Sequence, residues 1–221
     1  MGAPRAIALC QSFNGALEFQ VGHWAEAEES LHESIRLFQE IGAADGEALS
    51  YQRLGMLLSA QGQLAEGLSA LEQGIVAAKH AKLRAHLQGR LYAAIARNRL
   101  LAGNVPAADD ALSLGEALTE SHGHCALCEA LLLPVAVSVR IAQGELASAA
   151  EYCRQLDESA TRYGSDTWMA LAAQARGELA AAQGGVHHAV THYTAARTYF
   201  QKAKNEYAVG QCSDALAKLQ V

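Results

Sequence analysis

Apolar and small residues recur along this chain in a ten-residue pattern that appears five times. Each copy begins with glycine, has a small residue five positions later, and has a larger apolar residue nine positions later. The copies begin at Gly22, Gly62, Gly103, Gly144 and Gly184, so they are 40 or 41 residues apart. A fixed period of this length indicates a helical solenoid, in which each repeat packs against the next.

The positions within one copy predict a pair of antiparallel helices. Glycine favours the end of a helix, because it adopts backbone angles that a Cβ atom penalises in other residues. The small residue that follows, Ala27 in the first copy, lets the next helix approach closely. Mostly small residues also lie seven positions before the lead glycines, at Gly15, Gly55, Ala96, Val137 and Gly177. Small residues on both helices therefore predict a tight crossing in each repeat.

This periodicity predicts an all-α chain of about eleven helices, an α-α superhelix of five helix-turn-helix repeats and a terminal capping helix. The repeats are expected at 4–43, 44–84, 85–122, 123–163 and 164–204, and the capping helix at 205–219. No linker divides the sequence, so residues 1–221 are expected to form a single domain. The sequence lacks the alternating Val, Ile and Thr runs of strands, which argues against a sheet.

Three residues give more local expectations. Asp45 is expected to be the N-cap of the helix that opens the second repeat. Pro106 suits the first turn of a helix, where its missing N–H has no helical partner to lose. Pro134 lies inside a helix and is expected to kink it.

The composition limits the class of protein. With 51% hydrophobic and 18% charged residues, the chain has enough apolar side chains for a folded core. The formal net charge of -6 argues against direct contact of this region with nucleic acid or an anionic membrane. No apolar run approaches the roughly 20 residues that span a bilayer, and the start lacks a signal-peptide pattern. The five cysteines are unevenly spaced, so a cytoplasmic protein is expected.

The paired small residues resemble those of the tetratricopeptide repeat (TPR). In the second repeat, Leu54 and Gly55 occupy the Leu-Gly positions of the first helix, a small residue stands at Gly67, and Leu71 follows four positions later. The usual TPR unit has about 34 residues, whereas HEAT and armadillo units have lengths closer to this one. The paired small residues favour the TPR interpretation.

The TPR resemblance implies a binding groove lined by the first helix of each repeat. The positions that match groove-facing sites are Gln52, Met56, Arg90, Arg97, Ser138, Gln174 and Glu178. Arg90 and Arg97 could bind a carboxylate or phosphate of a ligand, because guanidinium pairs with both in a bidentate manner. Alternatively, they are solvated or pair with local acids. The Lys/Asn set of the carboxylate-clamp form cannot be placed here, which disfavours a chaperone adaptor.

One short stretch has the residue types of a metal site. His122, His124, Cys125 and Cys128 lie close together, and two Cys separated by two residues can both reach one tetrahedral ion. Zinc is the first choice of ion. The alternatives are a redox-active or disulfide pair and ordinary, partly buried cysteines. The links between repeats share one edge of a solenoid, so His80 and His86 are expected near His122 and His124.

No enzyme is expected from the sequence, and no catalytic residue is assigned. A P-loop, a dinucleotide-binding glycine turn and a nucleophile elbow are all missing from it. Adjacent acids such as Asp109 and Asp110 point apart on a helix, so they are poor acid–base partners.

The forty-residue unit, its Ala-, Leu- and Gly-rich composition and its repeated Ala-x-Gly-polar-apolar pattern resemble the solenoid of LuxR-type ATP-dependent activators. The maltose-regulon activator is the familiar case, and related signal-transduction ATPases share the resemblance. In that family the solenoid is a sensor and interaction platform, joined to an ATPase and a helix-turn-helix domain. The resemblance implies a binding or sensor module whose partner is a protein, a peptide or a small-molecule effector. A free-standing scaffold, a metal- or redox-responsive switch and a homo-oligomer remain open.

Overall fold

The computed structural model describes residues 4–121 and 125–219. Within these ranges the chain is all-α, without a strand. Eleven helices follow one another through the described residues: α1 (Pro4–Val21), α2 (Trp24–Glu40), α3 (Ala44–Ala60), α4 (Leu64–Ala78), α5 (Arg84–Leu101), α6 (Val105–Glu120), α7 (Ala126–Ala142), α8 (Leu146–Tyr163), α9 (Asp166–Ala182), α10 (Val186–Lys202) and α11 (Glu206–Lys218).

The helices pack in sequential pairs. α1 packs against α2, α3 against α4, α5 against α6, and α9 against α10. Contacts between neighbouring pairs follow the chain order, from α2 to α3 and from α4 to α5. This arrangement confirms the predicted all-α fold of helix-turn-helix repeats, as in an α-α solenoid.

The chain divides into two compact units, Met1–Cys128 and Glu129–Val221, and the division falls within α7. In unit 1, buried leucines such as Leu31, Leu57 and Leu71 fill cores between successive helices. In unit 2, the cores combine alanines of α9 with larger side chains of α10 and α11. The single domain expected for residues 1–221 stays a prediction.

The lead glycines of the five pattern copies all have positive φ, between 74° and 93°. Each stands one or two residues after the first helix of a pair and two residues before the second. L-residues with a side chain rarely adopt this conformation, so the glycines allow the sharp turn between paired helices. The predicted helix ends are therefore confirmed.

The small residues allow close helix packing, as the sequence predicts. A Cβ atom added to Gly55 would lie 2.5 Å from Leu71 Cγ and 2.8 Å from the Gly67 carbonyl oxygen. A Cβ atom added to Gly15 would lie 2.6 Å from Leu31 Cγ. These separations are shorter than any normal carbon contact, so each crossing requires glycine, which has no side chain.

Asp45 is not the N-cap of α3, and that prediction is wrong. Ala43 is the N-cap, and Asp45 lies within the first turn of the helix. The Asp45 carboxylate instead accepts hydrogen bonds from the backbone N–H groups of Lys82 and Leu83, at 3.2 and 3.0 Å. The positive-φ glycine at Gly42 already makes the turn into α3, which leaves this carboxylate for the next repeat.

Pro106 lies in the first turn of α6, as expected, and Asn104 caps that helix by accepting from the Ala107 N–H. Pro134 lies inside α7, and the helix continues on both sides of it. No helix in the described part of the chain has the length and apolar character needed to cross a membrane.

Candidate functional site

The first helices of unit 1 form a layer that sets the positions of its polar side chains. α1 packs against α3, and α3 packs against α5. Ser12 and Ser50 share a hydrogen bond of 2.9 Å between α1 and α3, and Asn98 Nδ2 donates to Ser59 Oγ at 2.9 Å between α5 and α3. These buried hydrogen bonds fix the register of the three helices, so side chains at matching heights lie side by side.

Two arginines on this layer lie within electrostatic reach of each other. Arg53 on α3 donates from Nη1 to Ser12 Oγ at 2.6 Å, and its guanidinium carbon lies 4.5 Å from the centre of the exposed Phe13 ring. Burial lowers the pKa of Arg53 to about 10, and the charge of Arg90 acts in the same direction. The two guanidinium groups are therefore close enough to repel each other.

Arg90 on α5 is half-buried, and its buried Nε atom has no hydrogen-bond partner. Burial also lowers the pKa of Arg90. Among the residues that the structure describes, no carboxylate forms an ion pair with Arg53 or Arg90. A pair of desolvated cations without a counter-ion is unfavourable, and an added anion would relieve it. We call Arg53 and Arg90 the arginine pair.

Gln52 directly precedes Arg53 in the sequence, and its side chain is only 3% exposed. Its Nε2 atom donates to Met56 Sδ at 3.0 Å, but its Oε1 atom is buried without a hydrogen-bond partner. An unsatisfied buried acceptor lowers the free energy of unfolding by roughly 1–3 kcal/mol, so Gln52 Oε1 destabilises the fold.

Arg53 is absent from the groove residues that the sequence indicated. The repeat period could have indicated Arg53. The position about forty residues after it, in the next repeat, lies within one helical turn of Arg90. Arg97 is half-buried on α5, and its side chain forms no hydrogen bond or ion pair within the described ranges. The structure thus joins Arg90 to Arg53.

The remaining groove candidates lie in unit 2 and bond to one another. Ser138 Oγ on α7 donates to Glu178 Oε2 on α9 at 2.7 Å, and Gln174 Nε2 donates to Glu178 Oε1 at 3.2 Å. Their role as ligand-binding residues stays a prediction, as it does for Gln52, Met56, Arg90 and Arg97.

A second polar group of unit 1 consists of His86, Cys125 and Cys128, which we call the thiol–imidazole cluster. One candidate ligand atom from each residue lies within 4.8 Å of the others. The Cys128 thiol donates to Cys125 Sγ at 2.9 Å, and Cys128 Sγ lies 3.8 Å from His86 Nδ1. Cys128 is 1% exposed, whereas the other two residues are half-buried. These three residues could hold a metal ion.

The cluster differs from the predicted ligand set. Cys125 and Cys128 belong to both, while His122 and His124 lie outside the described residues. His86 comes from the first turn of α5, and His80, the other histidine expected at this edge, is exposed after α4 and lies outside the cluster. The position one repeat of 41 residues after His86 is 127, which lies between Cys125 and Cys128. The repeat period could therefore have indicated that His86 lies near these two cysteines.

Arg90 links the two groups of unit 1. It follows His86 by four residues on α5, so both side chains lie on the same face of that helix. Cys128 and Cys125 raise the pKa of Arg90, whereas burial lowers it. Both cysteines therefore lie within electrostatic reach of the Arg90 guanidinium.

An open cavity of about 520 Å³ lies between α2, α3 and α4. Apolar side chains line most of it, among them Ile35, Leu54 and Leu58, with Tyr51 and Glu66 beside them. Its lining contains neither the arginine pair nor the thiol–imidazole cluster.

Comparison with protein-family models and with curated proteins found no match to this chain. The class that its structure defines is an all-α protein of sequentially paired helices, consistent with a helical repeat. Its unit 1 contains a His/Cys cluster that could hold a metal ion.

Proposed function

We propose that this chain is a non-enzymatic binding module, and that the first-helix layer of unit 1 recognises a carboxylate group of its ligand. One observation carries the proposal. Arg53 and Arg90 lie within electrostatic reach of each other, both are desolvated, and neither has a carboxylate partner within residues 4–121 and 125–219. Arginines that serve only stability are expected to pair with a local acid, as Arg36 does with Glu33.

The geometry around the arginine pair favours a carboxylate. Guanidinium presents parallel N–H donors that match the two oxygens of a carboxylate, and a partly buried position strengthens the interaction. Ser12 already accepts one N–H of Arg53, which orients that guanidinium.

The wider role that we propose follows the sequence resemblance. The lead glycines and the paired small residues support repeats of the TPR type. The repeated pattern of the unit supports a sensor or interaction module of a bacterial regulator, similar to the LuxR-type activators and located in the cytoplasm. The partner would be a protein, a peptide or a small-molecule effector. A free-standing scaffold is the alternative if no carboxylate ligand binds.

A metal- or redox-responsive switch is a second candidate function, and the thiol–imidazole cluster favours it. Three nitrogen and sulfur ligands from two repeats meet there. We propose zinc as the first choice of ion, because zinc accepts both thiolate and imidazole ligands.

The carboxylate proposal is tested by replacing the arginine pair. The full chain is titrated with citrate and, separately, with a short Glu-rich peptide, and binding is measured by calorimetry at fixed ionic strength. We expect saturable binding that falls about tenfold or more in the Arg53→Gln/Arg90→Gln double variant, the equivalent of about 1.4 kcal/mol or more. Arg84→Gln, an exposed arginine on the same helix, is the matched control and should bind as the wild type does.

The two probes separate the sources of the carboxylate. Binding of the Glu-rich peptide but not of citrate indicates a peptide partner, and the reverse indicates a small effector. A Gln-rich peptide of the same length controls for backbone contacts. The arginine pair is not a ligand site if citrate and the Glu-rich peptide give the wild type no more binding heat than chloride does. The same conclusion follows if the double variant binds them as tightly as the wild type.

Stability provides an independent readout of the same proposal. Because the two guanidinium groups are desolvated and repel each other, their replacement should leave the melting temperature of the ligand-free protein unchanged or raise it. A marked fall in melting temperature would indicate that the pair serves the fold.

A further inference from the structure

We infer that His86, Cys125 and Cys128 bind one zinc-class transition-metal ion through an imidazole nitrogen and two thiolate sulfurs. This inference rests on the second candidate function and deepens it by naming the ligands and the class of ion. Its three ligands are not part of the arginine pair, although Arg90 lies within electrostatic reach of the two cysteines.

The chemistry of the three ligands selects the ion. Thiolate sulfur binds Zn²⁺, Co²⁺ and Cu⁺ well, while Mg²⁺ and Ca²⁺ prefer oxygen ligands. The cluster contains no carboxylate, so a hard cation would find no suitable ligand among these three residues. Zinc is the first choice among these ions, because it binds both thiolate sulfur and imidazole nitrogen.

The distances require little rearrangement. Bonds of about 2.3 Å to sulfur and about 2.0–2.1 Å to nitrogen place tetrahedral ligand atoms about 3.6–3.8 Å apart. The separation of Cys128 Sγ from His86 Nδ1 is already 3.8 Å. The two sulfurs, now 2.9 Å apart in a hydrogen bond, would have to separate by about 0.9 Å to reach tetrahedral spacing. A small rotation about the half-buried Cys125 side chain would provide this movement.

A metal ion binds these two thiols in their ionised form. Cys125 directly precedes α7 and Cys128 lies in its first turn, where the helix dipole stabilises negative charge. The guanidinium of Arg90 is within electrostatic reach of both sulfurs. On binding, each thiol releases one proton and forms one metal–sulfur bond, so a divalent ion displaces two protons.

The ion would join two successive repeats. His86 belongs to α5, and Cys128 follows it by 42 residues at the start of α7. Bonds from the metal to His86 and to Cys128 would fix the distance between these two residues, and metal binding would therefore stabilise this edge of unit 1.

The test uses the full chain, reduced and freed of metal, titrated with Co²⁺ as the spectroscopic probe. We expect one equivalent to bind, with a sulfur-to-cobalt charge-transfer band and the visible bands of a tetrahedral ion, and Zn²⁺ to displace it. His86→Ala should weaken Co²⁺ binding by about tenfold or more and alter the visible bands, and Cys125→Ser should remove most of the sulfur band. His80→Ala and Cys10→Ser change an exposed imidazole and an exposed thiol, so they should bind as the wild type does.

Circular dichroism confirms that each variant is folded, and the half-buried Cys125 is preferred to the buried Cys128 for that reason. A wild type that binds no Co²⁺, or whose spectrum lacks the sulfur band, overturns the inference, and so does unchanged binding in Cys125→Ser. Metal binding that leaves citrate and peptide affinities unchanged supports the site and argues against the switch. Loss of metal binding in His86→Ala together with normal carboxylate binding separates this site from the arginine pair.

Discussion

At the scale of single residues, the glycines of this chain have two separate roles. Gly62 and the other lead glycines supply a positive φ at a turn, with no atom near the missing Cβ. Gly55 instead lies inside α3, where the Leu71 side chain and the Gly67 carbonyl occupy the space of a Cβ. The first role concerns the backbone and the second concerns packing, so an alanine is unfavourable in each for a different reason.

We predict that Gly55→Ala destabilises the protein by about 1–3 kcal/mol, because the new methyl group forces α3 and α4 apart. Gly210→Ala is the matched control. Gly210 lies inside α11 with nothing within 4 Å of a Cβ atom. Its replacement should be stabilising by about 0.5–1 kcal/mol, because glycine is a poor helix former. Urea unfolding followed by circular dichroism measures both, and a Gly55→Ala variant as stable as the wild type would contradict the packing role.

At the scale of helices, side chains cap four of the N-termini in the described residues, and they do so in two ways. Asn104, Ser165 and Asn205 each accept from an N–H group of the helix that they precede. The start of α5 is different, since Asp45 reaches it from the first turn of α3. That contact joins consecutive repeats, and a carboxylate near a helix N-terminus also interacts favourably with the helix dipole.

We predict that Asp45→Ala costs about 0.5–2 kcal/mol, the usual range for loss of a cap, and that it exposes the backbone N–H groups of Lys82 and Leu83 to solvent. Hydrogen exchange measured residue by residue should show faster exchange at these two amides. Asn104→Ala removes a cap of similar strength from α6 and is the control. It should lower stability without changing exchange at Lys82 and Leu83. Equal exchange at these amides in wild type and Asp45→Ala would show that the cap is unimportant.

At the scale of the whole molecule, buried thiols should make stability depend on pH. Burial raises the pKa of Cys153 to about 11 from its ordinary value of 9.0, and it does the same for Cys212. The folded protein therefore holds these protons at pH values where the unfolded chain has released them. Linkage then requires stability to be fully present below about pH 9 and to fall as pH rises through about 11.

We predict that the Cys153→Ala/Cys212→Ala double variant loses stability less steeply than the wild type between about pH 9 and pH 11. Both thiols belong to unit 2, and neither takes part in the thiol–imidazole cluster. The Cys10→Ala variant, which removes an exposed thiol of α1, should follow the wild-type slope. The measurement is the urea midpoint at a series of pH values under reducing conditions, and parallel profiles for all three proteins would refute the prediction.

The sequence by itself determined the helical repeat. Lead glycines at intervals of 40 or 41 residues end the first helix of each pair, and small residues such as Gly15 and Gly55 allow the crossing. These features are local in the chain, because a turn and a helix face depend on residues within about ten positions of one another. Hence the number of helices and their pairing followed from the periodic pattern alone.

The tertiary structure alone decided which polar residues meet. It joins Arg53 to Arg90, Asp45 to the start of α5, and His86 rather than His80 to the two cysteines. Each of these contacts links neighbouring repeats, across about forty residues of sequence. The period places such residues at similar heights, but the rotation of each helix about its axis decides which side chains face each other. That rotation is set by the packing of complete side chains between repeats, which a repeat pattern does not specify.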